Sequence, residues 1–237
     1  MSQLNGTRQY KTIFFDLDHT LWDYETNSRQ TLDELYIAYN LQERGITDFD
    51  TFLLCFKSVN TKLWDLYDRG EIDSQTIRRE RFKQILEHFH AYEEKLSQNL
   101  SVDYLYLCPQ KGNLMPYALE TLQYLSRHYA MTIVTNGFEE IQNTKLNSGK
   151  LRHFFNHIVT SQKAGFKKPA REIFDYAMKV NSTACSDVIM IGDNLITDMG
   201  GARNASIDTV FFNPDKIVHE TIVKHEISCL SELQKIL

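Results

Sequence analysis

Little in this chain of 237 residues points to a membrane, a disulfide framework or a nucleic-acid polymer. No apolar run is long enough to span a bilayer, and the opening MSQLNGTRQYK lacks the apolar stretch of a secretory leader. There are only four cysteines (55, 108, 185 and 229), with no CxxC or zinc-type spacing, so reduced thiols in a cytoplasm are expected. Positive charge is not in excess. The net charge of −5 argues against a long nucleic acid, although one small anion can still be held locally. Internal repeats and low-complexity segments are missing too. What remains, 42% hydrophobic and 24% charged, is the composition of a globular protein with one or two domains and a substantial core.

The most informative stretch is Phe14–Trp22, FFDLDHTLW, in which two acids at i and i+2 close a short apolar run. Lys11–Asp16 has the length and the aromatic and β-branched content of a buried strand. Ligands of an open parallel sheet gather beyond the carboxyl ends of its strands, so Asp16 and Asp18 are expected at the mouth of a cleft. Like charges held that close resist ionising together unless a cation sits between them.

Three further stretches repeat the pattern. Ala130–Thr135 reads as a strand running into Asn136-Gly137, and Asp187–Ile191 as one running into Gly192-Asp193-Asn194, with Asp198 beyond. Lys167-Lys168-Pro169 precedes the helical pattern Ile173–Val180. Acids suited to a hard cation thus accompany hydroxyl, amide and ammonium donors suited to a polyanionic group.

These four motifs, DLDHT (16–20), TNG (135–137), the Lys of KKP (168) and GDNLITD (192–198), resemble those of the haloacid dehalogenase-like superfamily, most of whose members are phosphatases. The resemblance runs from about Lys11 to about Phe212. Three stretches, 59–72, 135–146 and 167–178, are similar to bacterial house-cleaning pyrimidine 5′-nucleotidases of that superfamily.

Motif spacing suggests the architecture. Leu32, Leu35, Tyr36 and Tyr39 follow a helical period between the first two motifs, as do Phe82, Ile85, Leu86 and Phe89. Another helix is expected over Phe49–Trp64, while residues 92–110 fit no pattern. The expectation is a doubly wound, Rossmann-like α/β core of parallel strands (1–21 and 108–237) with one inserted helical cap (22–107), in family terms a C1 cap.

The resemblance implies a Mg²⁺-dependent phosphomonoester hydrolase. Asp16 would be the nucleophile that forms an aspartyl-phosphate, and Asp18 the general acid and base. Asp16 and Asp193 suit direct metal ligation, the Asp18 carbonyl is implied as a third ligand, and Asp198 would stand behind them. Thr135, the Asn136 amide and Lys168 would bind phosphoryl oxygens. Position before the proline favours Lys168 over Lys167, and His19 reads as a local hydrogen-bonding residue. In the cap, Asn60, Trp64 and Tyr67 share one helical face, where substrate contact and a plain core stripe explain the spacing equally well.

The expected substrate is a small phosphorylated metabolite, a pyrimidine nucleoside 5′-monophosphate first, acted on by a monomer or homodimer. A sugar-phosphate phosphatase or a β-phosphoglucomutase-like phosphomutase is the alternative. Dehalogenation is disfavoured because a halide leaves without a proton, which makes Asp18 superfluous. A signalling receiver domain has no place for the long insertion or for GDNLITD, and a silent binding protein would not fill every catalytic position.

Overall fold

The computed structural model describes residues 10–237; residues 1–9, which include most of the opening segment read above, lie outside it. The described chain divides into two compact units.

The α/β unit holds Leu114–Glu139 and Leu151–Leu237 together with the chain up to Leu21. Its sheet has six strands: β1 (Thr12–Phe15), β2 (Ala130–Thr135), β3 (His157–Thr160), β4 (Val188–Gly192), β5 (Asp208–Phe212) and β6 (His225–Ile227). All pairings are parallel and the order is β3-β2-β1-β4-β5-β6. Central β1 aligns Phe15 with Ile133 on one side and Ile191 on the other. All four of its residues are buried, as expected of a parallel strand covered on both faces. Phe14 belongs to one buried apolar cluster with Val134 of β2, Met190 of β4, Phe211 of β5 and Phe174 of helix α8 (Arg171–Val180). The other α-helices of this unit among the described residues are α5 (Ala118–Leu125), α7 (Ser161–Ala164), α9 (Gly201–Asn204) and α10 (Leu233–Ile236). In this strand order the chain leaves β1 towards one side of the sheet and returns to β4 on the other. The loops diverge there and leave a crevice at the carboxyl ends of β1 and β4.

The helical unit comprises Trp22–Asn113 and Glu140–Lys150. Its helices are α1 (Tyr24–Ala38), α2 (Phe49–Asp68), α3 (Ser74–His88), α4 (Glu94–Leu107) and α6 (Glu139–Ser148). Three of them start with one device, an aspartate accepting from the backbone N–H three residues on: Asp23 from Thr26, Asp48 from Thr51 and Asp73 from Thr76. Such caps satisfy amides that a helix start leaves unpaired.

Helix α4 covers the stretch without a legible pattern. Its buried face is Leu96, Ser97, Leu100, Ser101 and Tyr104, in which serines interrupt the apolar stripe. The sequence expectation assigned residues 108–113 and 140–150 to the core, whereas they cluster with the helices. The contacts of α6 give the reason. Glu140 pairs with Arg78, the Lys145 ammonium lies 4.6 Å from the Trp22 ring centre, and the Ser148 hydroxyl is 2.9 Å from the carbonyls of Pro109 and Lys111.

No helix among the described residues is long and apolar enough to cross a membrane, and none of the four cysteines forms a disulfide.

Candidate active site

The site is built where β1, β2 and β4 end. Asp16 is the first residue past β1, and its N–H donates to Ile191 O of β4 at 2.9 Å. Asp193 directly follows β4, and Asp198 sits in the π-helical turn Leu195–Gly200. Asn194 opens that turn, its side-chain oxygen accepting from the N–H groups of Ile196 and Thr197 at 2.9 Å. Such turns recur at functional sites. Gly192 permits this approach, because a Cβ there would lie 2.4 Å from Asp198 Oδ2.

Lys168 joins the acids. Its ammonium donates to Asp16 Oδ1 at 2.5 Å and to Asp198 Oδ1 at 2.6 Å, and all three side chains are buried. The Asn136 side chain holds the Lys168 backbone from both sides. Its Nδ2 donates to Lys168 O at 2.9 Å, and its Oδ1 accepts from Lys168 N–H at 2.8 Å. Thr135 ends β2, and its hydroxyl oxygen accepts from Gly137 N–H at 2.9 Å. Thr20, wholly buried, donates to Asp193 Oδ1 at 3.0 Å and so ties the loop after β1 to the loop after β4.

Charge in this site is out of balance. Asp16 is pushed up to about 7 by burial first, with Asp198 and Asp18 adding to the rise and Lys168 opposing it. Asp193 is pushed up to about 6, by burial and then by Asp16, against the pull of His19 and the Thr20 hydrogen bond. Burial raises Asp198 as well, while two carboxylates hold Lys168 charged by raising its pKa. One buried ammonium does not neutralise this many carboxylates.

A hard cation fits that shortage. Asp16, Asp193 and Asp198 each offer a carboxylate oxygen, all within 4.8 Å of one another. An all-oxygen donor set of this kind suits Mg²⁺ better than a softer metal. Asp198 has less to spare, since its Oδ1 meets Lys168 and its Oδ2 accepts from Asn194 N–H at 3.1 Å.

The residues singled out in the core motifs, Asp16, Asp18, Thr135, Asn136, Lys168, Asp193 and Asp198, all belong to the α/β unit. Those of the cap belong to the helical unit. Asn60 is buried there, its amide bonded to Arg81 and Tyr24, whereas Trp64 is half-buried with its ring edge-on to Tyr67, centroids 5.5 Å apart. Two features escaped the sequence reading. The Asn136–Lys168 clamp spans 32 residues and leaves no local signal. Arg81 did leave one: a charged residue between Ile77 and Ile85 on the apolar stripe of α3.

The haloacid dehalogenase-like hydrolase family matches residues 13–212. The chain belongs to that family. As a haloacid dehalogenase-like hydrolase it is 28% identical to the HAD-hydrolase YfnB of Bacillus subtilis (strain 168), over 97% of this chain and 96% of that one. The pyrimidine 5′-nucleotidase YjjG of Escherichia coli (strain K12) is 30% identical over 85% of each chain. The pyrimidine 5′-nucleotidase PynA of Streptococcus pneumoniae is 29% identical over 90% of this chain and 87% of its own. The crystal structure of YfnB bound to magnesium superposes with a TM-score of 0.87, covering 96% of this chain and 98% of that one at 28% identity.

Proposed function

We propose that this hydrolase is a Mg²⁺-dependent phosphomonoesterase that works through an aspartyl-phosphate on Asp16 and prefers pyrimidine nucleoside 5′-monophosphates. One observation carries the chemistry: Lys168 bridges Asp16 and Asp198 beside Asp193, in a buried cluster with too little positive charge of its own.

Asp16 attacks phosphorus, the phosphorus–oxygen ester bond breaks, and Asp18 gives a proton to the departing alkoxide. Water then attacks the aspartyl-phosphate, Asp18 takes its proton, and release of phosphate restores Asp16. Two of the three ammonium donors of Lys168 are used on carboxylates, which leaves the third for a phosphoryl oxygen. Thr135, whose oxygen already accepts from Gly137, keeps its hydroxyl proton for a second phosphoryl oxygen, and the Asn136 backbone amide serves a third. Asp16, Asp193 and the Asp18 carbonyl would hold the Mg²⁺, with Asp198 behind them; when bound, the ion supplies neutralising charge to the phosphoryl group. The magnesium of YfnB supports the choice of ion, and the activities of YjjG and PynA support the choice of substrate. On this reading the enzyme works in the cytoplasm on a soluble metabolite.

Phosphate release by the purified protein tests the proposal, with Mg²⁺ and with EDTA, across nucleoside monophosphates, sugar phosphates and p-nitrophenyl phosphate. Release that needs the metal and favours uridine and cytidine monophosphates is expected. Release confined to sugar phosphates overturns the substrate, and release that survives EDTA overturns the metal.

A further inference from the structure

Lys168 lies where neither helix nor sheet holds the backbone. It falls in the connection between α7 and α8, and among the described residues neither its N–H nor its C=O bonds to another backbone group. Pro169 follows it and has no N–H with which to anchor the chain there. Lys168 is 2% exposed, so both of its backbone groups need a partner inside the protein.

The Asn136 side chain supplies both. A primary amide donates through one atom and accepts through its neighbour, so it can meet the N–H and the C=O of a single residue at once. Its Oδ1 accepts from Lys168 N–H at 2.8 Å, and its Nδ2 donates to Lys168 O at 2.9 Å. That is the pattern of a hydrogen-bonded antiparallel pair, with a side chain in place of the second strand. Two bonds to one residue fix its rotation as well as its position. Asn136 is itself well anchored, because it directly follows Thr135, the last residue of β2, which stands in register with Thr160 of β3. The sheet thus sets the place of the Lys168 backbone through one buried amide.

The far end of Lys168 has little slack. Its ammonium, on a flexible four-carbon stem, reaches Asp16 Oδ1 at 2.5 Å and Asp198 Oδ1 at 2.6 Å. Without the amide, the buried N–H and C=O would shift to find other partners. The stem would then carry the ammonium off its two acids and its third donor off the phosphoryl oxygen.

We infer that the Asn136 side chain is a positioning residue for Lys168, acting on catalysis through the Lys168 backbone rather than through the substrate. This adds a role for the side chain to the one proposed for the backbone amide, and it rests on the phosphatase reading above. An asparagine beside the threonine is required on this account, because neither a hydroxyl nor a carboxylate offers a donor and an acceptor on adjacent atoms.

The test is a double-mutant cycle on kcat/KM at saturating Mg²⁺, with p-nitrophenyl phosphate and uridine monophosphate as substrates and Tm measured for each variant. Asn136→Ala should lower kcat/KM by ~10- to 100-fold, by the same factor on both substrates, since both present the same phosphoryl group. Asn136→Asp keeps the shape and the bond to Lys168 N–H but sets oxygen against oxygen at Lys168 O, and it should lose activity in the same direction. Added to Lys168→Met, either substitution should cost only a small fraction of that factor, because the group it positions is already gone. A loss in the double variant as large as in the wild-type background means that Asn136 acts by another route and overturns the inference. So does an Asn136→Ala variant that is folded and as active as wild type. Both results leave the phosphatase reading standing, whereas a wild type that releases no phosphate from either substrate overturns that reading first.

Discussion

The two units bury charge in opposite ways. In the α/β unit, Asp16, Asp193 and Asp198 crowd around one ammonium, and burial drives their carboxyl groups up towards neutrality. In the helical unit a single guanidinium is buried with no acid at all, and aromatic rings and one amide oxygen surround it. Negative charge in excess leaves a demand that a mobile cation can meet. A positive charge in a ring of aromatics leaves little such demand, because its neighbours are already in place. The first arrangement suits chemistry on a phosphoryl group, and the second suits holding a hydrogen-bond network in one sense.

The largest effect is expected from removing the nucleophile. Asp16→Asn should lower turnover by ~10³-fold or more. With one charge fewer in the crowded site, its metal-free Tm should not fall, and a folded variant with wild-type turnover would refute the mechanism.

Next come two of the buried cations, Lys168 and Arg81, which should behave differently when each is replaced by methionine. Lys168→Met strands Asp16 and Asp198 and should cost about 3–5 kcal/mol of stability, because breaking a buried pair leaves carboxylates uncompensated. Arg81→Met strands no carboxylate and should cost distinctly less in the same denaturant titration. Equal losses would erase the contrast.

Gly192→Ala should follow, at about 1–3 kcal/mol, because its Cβ must displace the Asp198 carboxylate. Turnover should fall with it, and a Tm unchanged from wild type would show that Asp198 has room to move.

The smallest effect concerns pH. Without metal, the Asp16 carboxyl is held up to about 7 and that of Asp193 to about 6. Below those values both bind protons that a metal must displace; above them neither does. Mg²⁺ should therefore bind ~10-fold or more weakly at pH 5.5 than at pH 8, and its stabilisation of Tm should shrink accordingly. Stabilisation that is the same at both values would mean that these two carboxylates do not hold the ion.

Much of the α/β unit was legible in one dimension because its signals are local. The strand expected over Ala130–Thr135 has those bounds, and the strands expected at Lys11–Asp16 and Asp187–Ile191 are each within a residue of β1 and β4. Strand β6 was missed. Three residues at the sheet edge carry too short a pattern to stand out. Helix α4 was missed for another reason, since Ser97 and Ser101 occupy its buried face and hide the apolar period.

The sequence by itself determined the class of fold and the kinds of side chain at the strand ends, because burial on both faces of a parallel strand and the turn that follows it are written in consecutive residues. Only the tertiary structure decided which group Lys168 meets, that Asn136 clamps its backbone rather than merely standing near it, and that α6 keeps company with the helical unit. It alone also drew Arg81, Asn60 and Tyr24 into one network. Each of these depends on residues tens of positions apart, and a pairing set by three-dimensional packing leaves no period in the chain to read.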